Sequence, residues 1–316
     1  MKRLAAWGAA AVAAMALALV PCIGSPTLVQ FGISTLLLAT LAQAWNIIGG
    51  FAGYASFGNS VFYGLGSYGT AIAMLRMGWP FGVGLALGAA LAVVFAVAIG
   101  MPVLRLRGHY FAIATLALAE VMIAIVSNLD IAGRNIGLVL PLLRGDTMFY
   151  ELSLGLLVLT TLTVLWLSGS RLGFGLIAIR ESEDAAAVVG VNTTAYKVCA
   201  FALAAFFSAL AGGIHAYWIT FIDPASAFDI SLNVKMIIMA VFGGPGSILG
   251  PVIGALLLAS ISELLATEVS TAASLFFGFI IVIAVVFMPR GLADVARRLP
   301  QLRWRYFGDN VRTHRL

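Results

Sequence analysis

The chain has 316 residues, 62% of them hydrophobic and 10% charged, with a formal net charge of +5. A soluble domain carries about 25% charged residues and a disordered chain is more polar still, so both classes are excluded. The two cysteines, Cys22 and Cys199, and the scattered His109, His215 and His314 exclude a disulfide scaffold and a zinc site. What remains is an integral membrane protein.

No Asp, Glu, Lys or Arg occurs from residue 4 to residue 75, and further uncharged runs cover 77–104, 152–170, 198–222, 236–262 and 269–289. A helix needs ~20 apolar residues to cross the hydrocarbon core. The runs predict helices near 4–24, 27–48, 60–76, 81–103, 109–129, 151–168, 197–221, 231–243, 247–266 and 270–289. Backbone polar groups in lipid must bond internally, and runs such as 154–167 lack the alternation of a barrel strand. The expected fold is therefore all-α: a polytopic membrane bundle of about ten transmembrane helices. Lys2 and Arg3 precede the first apolar run, as in a signal peptide, but no small-residue cleavage pattern follows and Pro21-Cys22 is a poor lipobox. The first segment is read as a retained helix.

Lys and Arg set the orientation. With an inner N-terminus only Arg76, Arg134, Arg144 and Lys235 fall outside, and every other Lys and Arg falls inside. Segment 231–266 contains Gly243-Gly244-Pro245-Gly246, which breaks a helix. It must return to its starting side, as two spans or a re-entrant pair, or the basic tail would lie outside. The chain thus divides into a transmembrane domain, 1–290, with an inner loop at 169–197, and a basic cytoplasmic tail, 291–316. The basic excess suits anionic lipid, so no nucleic-acid role is needed.

Residues 49–69 are rich in Gly and small polar side chains. Gly permits close backbone approach and helix breaks, and broken helices line transporter cavities. Asn46, Tyr54, Ser56, Asn59 and Ser60 offer neutral hydrogen-bonding groups there; tight packing alone is the competing reading. A second Gly-rich run covers 243–255, and Gly53–Gly58 loosely resembles Gly244–Gly250. Paired interruptions in two halves point to a repeat, which five helices per half would make inverted. Glu120 lies mid-span, where a carboxylate faces a bundle interior or an aqueous path. A structural anchor between helices is the favoured reading and a path residue the alternative. His215 reads as a satisfied interior group.

In the 169–197 loop, Arg180, Glu181, Glu183 and Asp184 open an Ala/Val-rich stretch that Gly190 ends. Acidic residues suit a first turn, Ala the middle and Gly the C-terminal cap, which predicts a short surface helix; Asn192 can cap the next membrane helix.

Asp184-Ala185-Ala186-x-x-x-Gly190 resembles the Glu-Ala-Ala-x-x-x-Gly loop of ABC importer permeases. Three further runs carry a resemblance to LivM-type branched-chain amino acid permeases: Leu104-Arg105-Leu106-Arg107-Gly108-x-Tyr110-Phe111-Ala112-Ile113-x-Thr115-Leu116, Ala178-Ile179-Arg180-Glu181 and Gly243-Gly244-x-Gly246-Ser247-x-x-Gly250-Pro251. The likeness spans about residues 41–291. Two departures stand out. Asp184 replaces Glu, and the outer loop from Ile131 to Gly137 differs from the Thr-Gly-Gly-x-Asn-Gly of many relatives. The second bears on substrate, since urea and short-amide importers have similar permeases.

The resemblance implies a permease subunit without enzymatic activity or cofactor, working with a second LivH-like permease, two cytoplasmic ABC ATPases and a periplasmic binding protein in a bacterial inner membrane. No Gly-x-x-x-x-Gly-Lys-Ser/Thr run occurs, so ATP is handled by partners. It implies ATPase coupling through Arg180, Glu181, Asp184, Ala185, Ala186 and Gly190, and a path past Asn46, Tyr54, Ser56, Asn59 and Glu120. Two rivals are weaker. A hydrolase built on Ser247 and His215 lacks a nucleophile elbow, and a self-contained transporter or channel should bury more acids.

Overall fold

The computed structural model describes residues 20–142 and 145–268, together with Leu17. Nearly all of the expected first helix, the expected tenth helix at 270–289, the 291–316 tail, Lys2, Arg3 and Arg144 lie outside the described residues.

The described chain is almost wholly helical, as backbone in lipid must be. Helix α1 (Pro26–Asn46) starts at Ser25, whose side chain accepts the Leu28 N–H, and runs into one π-helical stretch, Ile47–Phe51. After an irregular break come α2 (Asn59–Met77), α3 (Phe81–Val103), α4 (His109–Asn128) and α5 (Asp146–Gly169). Two short helices follow, α6 (Arg171–Glu181) and α7 (Glu183–Val188). Then come α8 (Thr193–Ile219), α9 (Ile230–Gly243) and α10 (Gly250–Glu268). A two-residue antiparallel pair, β1 (Leu138–Val139) and β2 (Phe221–Ile222), with Leu138 opposite Ile222, ties the α4–α5 loop to the end of α8.

Among the described residues six segments are long and apolar enough to cross a membrane: Pro26–Phe51, Phe81–Val103, His109–Asn128, Asp146–Gly169, Thr193–Ile219 and Pro224–Gly243. The fold is an all-α membrane bundle. Helix α2 is less apolar than these because protein, not lipid, surrounds it: α3 and α8 pack along it. The helices touch backbone to backbone. A Cβ at Gly66 would sit 2.1 Å from the Ala209 carbonyl oxygen, and one at Gly88 2.6 Å from that of Gly66. Small residues allow the close approach that drives helix association in lipid. The α2 hydroxyls bond within their own helix, Ser67 Oγ to Tyr63 O at 2.9 Å and Thr70 Oγ1 to Gly66 O at 2.7 Å. Packing is therefore what Gly66 serves in the first Gly-rich run.

Helices α9 and α10 pack on each other and on α1, so the 231–266 segment folds back at Gly243–Gly250 as two helices. Helix α4 makes few contacts with its neighbours and exposes much of its surface.

The expected surface helix differs from the structure in one respect. Its predicted start at Arg180 belongs to α6, and Ser182 separates the two helices. Ser182 accepts the Ala185 N–H at 3.3 Å and so caps α7. The predicted end holds: Gly190 follows α7 with φ +88°, a conformation costly for side-chain-bearing residues. Asn192 caps α8, its Oδ1 accepting the Ala195 N–H at 3.1 Å.

Candidate functional site at the Gly-rich junction

The two Gly-rich runs meet. Asn46 accepts the Gly246 N–H at 2.7 Å and donates to Ser247 O at 2.9 Å, while Gln43 donates to Ile248 O at 2.7 Å. A Cβ at Gly50 would fall 2.4 Å from the Gly246 nitrogen. Arg180, at the end of α6, donates to Gly50 O at 3.0 Å and to Glu181 at 3.2 Å. Trp45 Nε1 bonds Ser56 O at 2.8 Å, and the Phe57 N–H bonds Thr115 Oγ1 at 3.0 Å. The 52–58 break is thus held on one side by α1 and on the other by α4.

Beside it lies a charged cluster. Lys197, one turn into α8, has a side chain only 3% exposed. Its ammonium has three donors, and each goes to a different segment: Glu183 Oε1 of α7 at 2.6 Å, Leu104 O at 2.8 Å and Tyr54 Oη of the break at 3.1 Å. Leu104 is the C-cap of α3, where the helix dipole is negative. Tyr54 donates to the other Glu183 oxygen. Arg107 approaches that oxygen at 3.6 Å and grips Asp184 with two bonds, 2.9 and 3.2 Å. Two cations face two anions.

Burial opposes ionisation of Glu183, but its hydrogen bonds from Lys197 and Tyr54 and the Lys197 and Arg107 charges outweigh burial and hold the carboxyl below its usual range. The Arg107 hydrogen bond does the same for the exposed Asp184. Burial, then the Glu183 carboxylate, push the Tyr54 hydroxyl up, so it stays protonated and donates.

The sequence-chosen residues separate into groups. Asn46, Tyr54, Ser56 and Asn59 share the break. Asn46 binds the second Gly-rich run, and Ser56 Oγ accepts the Gly58 N–H at 3.2 Å. Asn59 buries its amide without a partner among the described residues. Glu120 is elsewhere. Expected from the sequence to face a bundle interior or an aqueous path, it lies within this chain on the exposed face of α4, because Thr115, Ala119 and Met122 turn that helix's other side inward. Among the residues that the resemblance assigns to coupling, Ala186 is buried, and Val188 and Val189 beside it are 87% and 77% exposed. Ser247 and His215 each have their own partners, Gly244 O at 2.7 Å and Tyr63 Oη at 2.5 Å. Glu183, Lys197 and Arg107 were missed. The available signal was a lysine bordering an uncharged run only five residues after a helix cap.

A separate cavity of about 570 Å³ lies among α1, α8, α9 and α10, lined in part by Gln30, Ser34, Thr35, Trp218, Lys235 and Glu263. Among the described residues no cluster of His, Cys, Asp or Glu is placed to hold a metal ion.

Residues 25–286 match the family described as branched-chain amino acid transport system / permease component. The chain belongs to this family. The permease is 28% identical over 307 residues to the high-affinity branched-chain amino acid transport system permease protein LivM of Salmonella typhimurium, covering 87% of the chain and 71% of the relative. The LivM of Escherichia coli matches with the same identity and coverage. Among solved structures, PsaBC from Streptococcus pneumoniae in complex with Fab aligns with a TM-score of 0.46 at 14% identity, over 84% of this chain and 93% of that one. The permease is a multi-pass membrane transport subunit of the ABC importer class, and the relatives it matches are permease proteins.

Proposed function

We propose that the permease forms the translocation path for branched-chain or similar small amino acids, delivered by a periplasmic binding protein and driven by two cytoplasmic ABC ATPases, with a second LivH-like permease completing the membrane unit. The observation that carries this reading is α7. It is a capped six-residue helix with Ala186 turned inward and the exposed Val188 and Val189 beside it. Such an apolar edge fits a protein groove better than water. Arg180, Glu181, Asp184, Ala185 and Gly190 frame it, and they form the ATPase-coupling surface.

The remaining assignments follow from the same reading. About ten helices cross the inner membrane, both termini are cytoplasmic, residues 1–290 form the membrane domain and 291–316 a basic tail. The two Gly-rich runs are counterparts in inverted halves. The path passes the break at Asn46, Tyr54, Ser56 and Asn59. A bare carboxylate facing lipid costs ~3 kcal/mol, so Glu120 meets either the path or the second permease where α4 lies uncovered.

The test is purification of the tagged chain from its native membrane in mild detergent, with co-purifying proteins identified by mass spectrometry. Two ATPases and a second permease are expected. A chain that purifies alone or as a homo-oligomer, under conditions that keep known complexes intact, overturns the reading. Leucine uptake by the reconstituted complex, competed by valine and not by urea, is expected to fix the substrate class.

A further inference from the structure

We infer that Glu183, Lys197 and Tyr54 form the linkage through which displacement of α7 reaches the Gly-rich break, and that they are positioning residues for ATP-driven transport. This rests on the importer reading above. Three observations carry it.

The first is connectivity. Helix α7 is six residues long and is separated from α6 by Ser182 alone. Two of its side chains reach distant segments: Asp184 goes to Arg107 on the exposed side, and Glu183 goes inward to Lys197 and Tyr54. An exposed ion pair transmits little, because water and salt screen it. The buried pair is the stiff connection.

The second is cost. Lys197 places a cation in the bundle interior, with its side chain only 3% exposed, and taking a charge out of water is costly. Replacing a buried ion pair by apolar side chains is often neutral or stabilising, so fold stability alone does not call for this lysine. What the ammonium adds is direction. One nitrogen binds α7, the end of α3 and the break together, and a shift of any one is felt by the others.

The third is what lies beyond Tyr54. Its ring meets Phe111 of α4 edge-on at 5.2 Å. Phe111 meets Phe201 of α8 at 6.4 Å, and Phe201 meets Phe62 of α2 at 4.8 Å. A rigid aromatic row therefore leads from the cluster to the central helix, and packed interiors transmit displacement rather than absorb it.

The test uses the whole complex in lipid vesicles with leucine-loaded binding protein, and reads leucine imported and ATP hydrolysed on the same vesicles. Lys197→Gln and Glu183→Gln each remove one charge of the buried pair at similar length. Both variants are expected to keep stimulated hydrolysis while leucine moved per ATP falls about tenfold, the factor for one weakened charge-assisted hydrogen bond in the moving state. An unchanged ratio in both variants, or uptake and hydrolysis falling together in proportion to the complex recovered, overturns the linkage and leaves an anchor. A wild-type complex that imports no leucine at the expense of ATP overturns the importer reading, and the linkage with it.

Discussion

Asn46 Oδ1 accepts the backbone N–H of Gly246 at 2.7 Å, joining residues 200 positions apart. With its second bond, to Ser247 O, this one amide takes both a donor and an acceptor from the 243–250 turn. The two Gly-rich runs are therefore one structural unit.

Asn46→Leu should destabilise that unit. It strands a half-buried N–H and carbonyl, each costing about 1 kcal/mol, the low end for an unsatisfied group. The expected result is a lower thermal midpoint of the purified complex, while Asn46→Asp retains part of it through the Gly246 bond. An Asn46→Leu complex as stable as wild type would show that water replaces both bonds.

Gly66 and Gly82 make a matched pair. A Cβ at Gly66 would lie 2.1 Å from Ala209 O, whereas nothing stands within 4 Å of one at Gly82. Gly66→Val should prevent α2 from docking and leave the chain protease-sensitive in the membrane. Gly82→Ala should be silent. Equal resistance to trypsin in the two variants would contradict the α2–α8 contact.

Gly190 has φ +88° and open space around it. Gly190→Ala should cost about 1 kcal/mol of local strain and little uptake. Gly190→Trp adds bulk on the proposed coupling surface, so it should abolish uptake and ATPase co-purification while the chain stays membrane-inserted. ATPase retention with normal uptake would remove Gly190 from that surface.

The pH dependence has a definite sign. Glu183 and Asp184 have carboxyls held below their usual range. A carboxylate with a depressed folded pKa stabilises the fold fully above its unfolded value, ~4.3 for Glu and ~3.9 for Asp, and loses that contribution as pH falls through the folded value. Hydrogen exchange across 183–190 should stay protected from pH 8 down to about 5 and loosen only in stronger acid. Loosening near neutrality would mean that the cluster is not formed.

Ala117 and Ala124 flank Glu120 on the exposed face of α4. If a second permease covers this face, Ala124→Trp should block its co-purification without unfolding the chain. Lipid would accommodate the same tryptophan. Normal assembly of the variant would place the subunit contact elsewhere and leave Glu120 to the aqueous path.

Much of this was legible along the chain because it is local. The bounds of α3 coincide with the predicted 81–103, since lipid selects an uncharged run of that length. The Asn192 cap and the Gly190 stop were readable because caps depend on residues a few positions away. The Ser182 break was missed although Ser followed by acids is a cap signal, because the Ala-rich stretch reads equally well as one continuous helix.

The sequence by itself determined the all-α membrane class, the long apolar helices among the described residues, the family and the place of the short 183–188 helix. Only the tertiary structure decided which way each side chain faces. Glu183 and Asp184 are adjacent acids in one first turn, yet one is drawn inward by Lys197 and Tyr54, 14 and 129 positions away, and the other stays outside with Arg107. The face of α4 that carries Glu120 was likewise not readable along the chain. In water a helix announces its buried face by the contrast between apolar and polar sides. In a bilayer lipid and protein interior are equally apolar, so that contrast vanishes and packing of small residues sets the rotation of each helix. Facing is then a property of the assembled bundle, written in contacts between residues far apart in the chain.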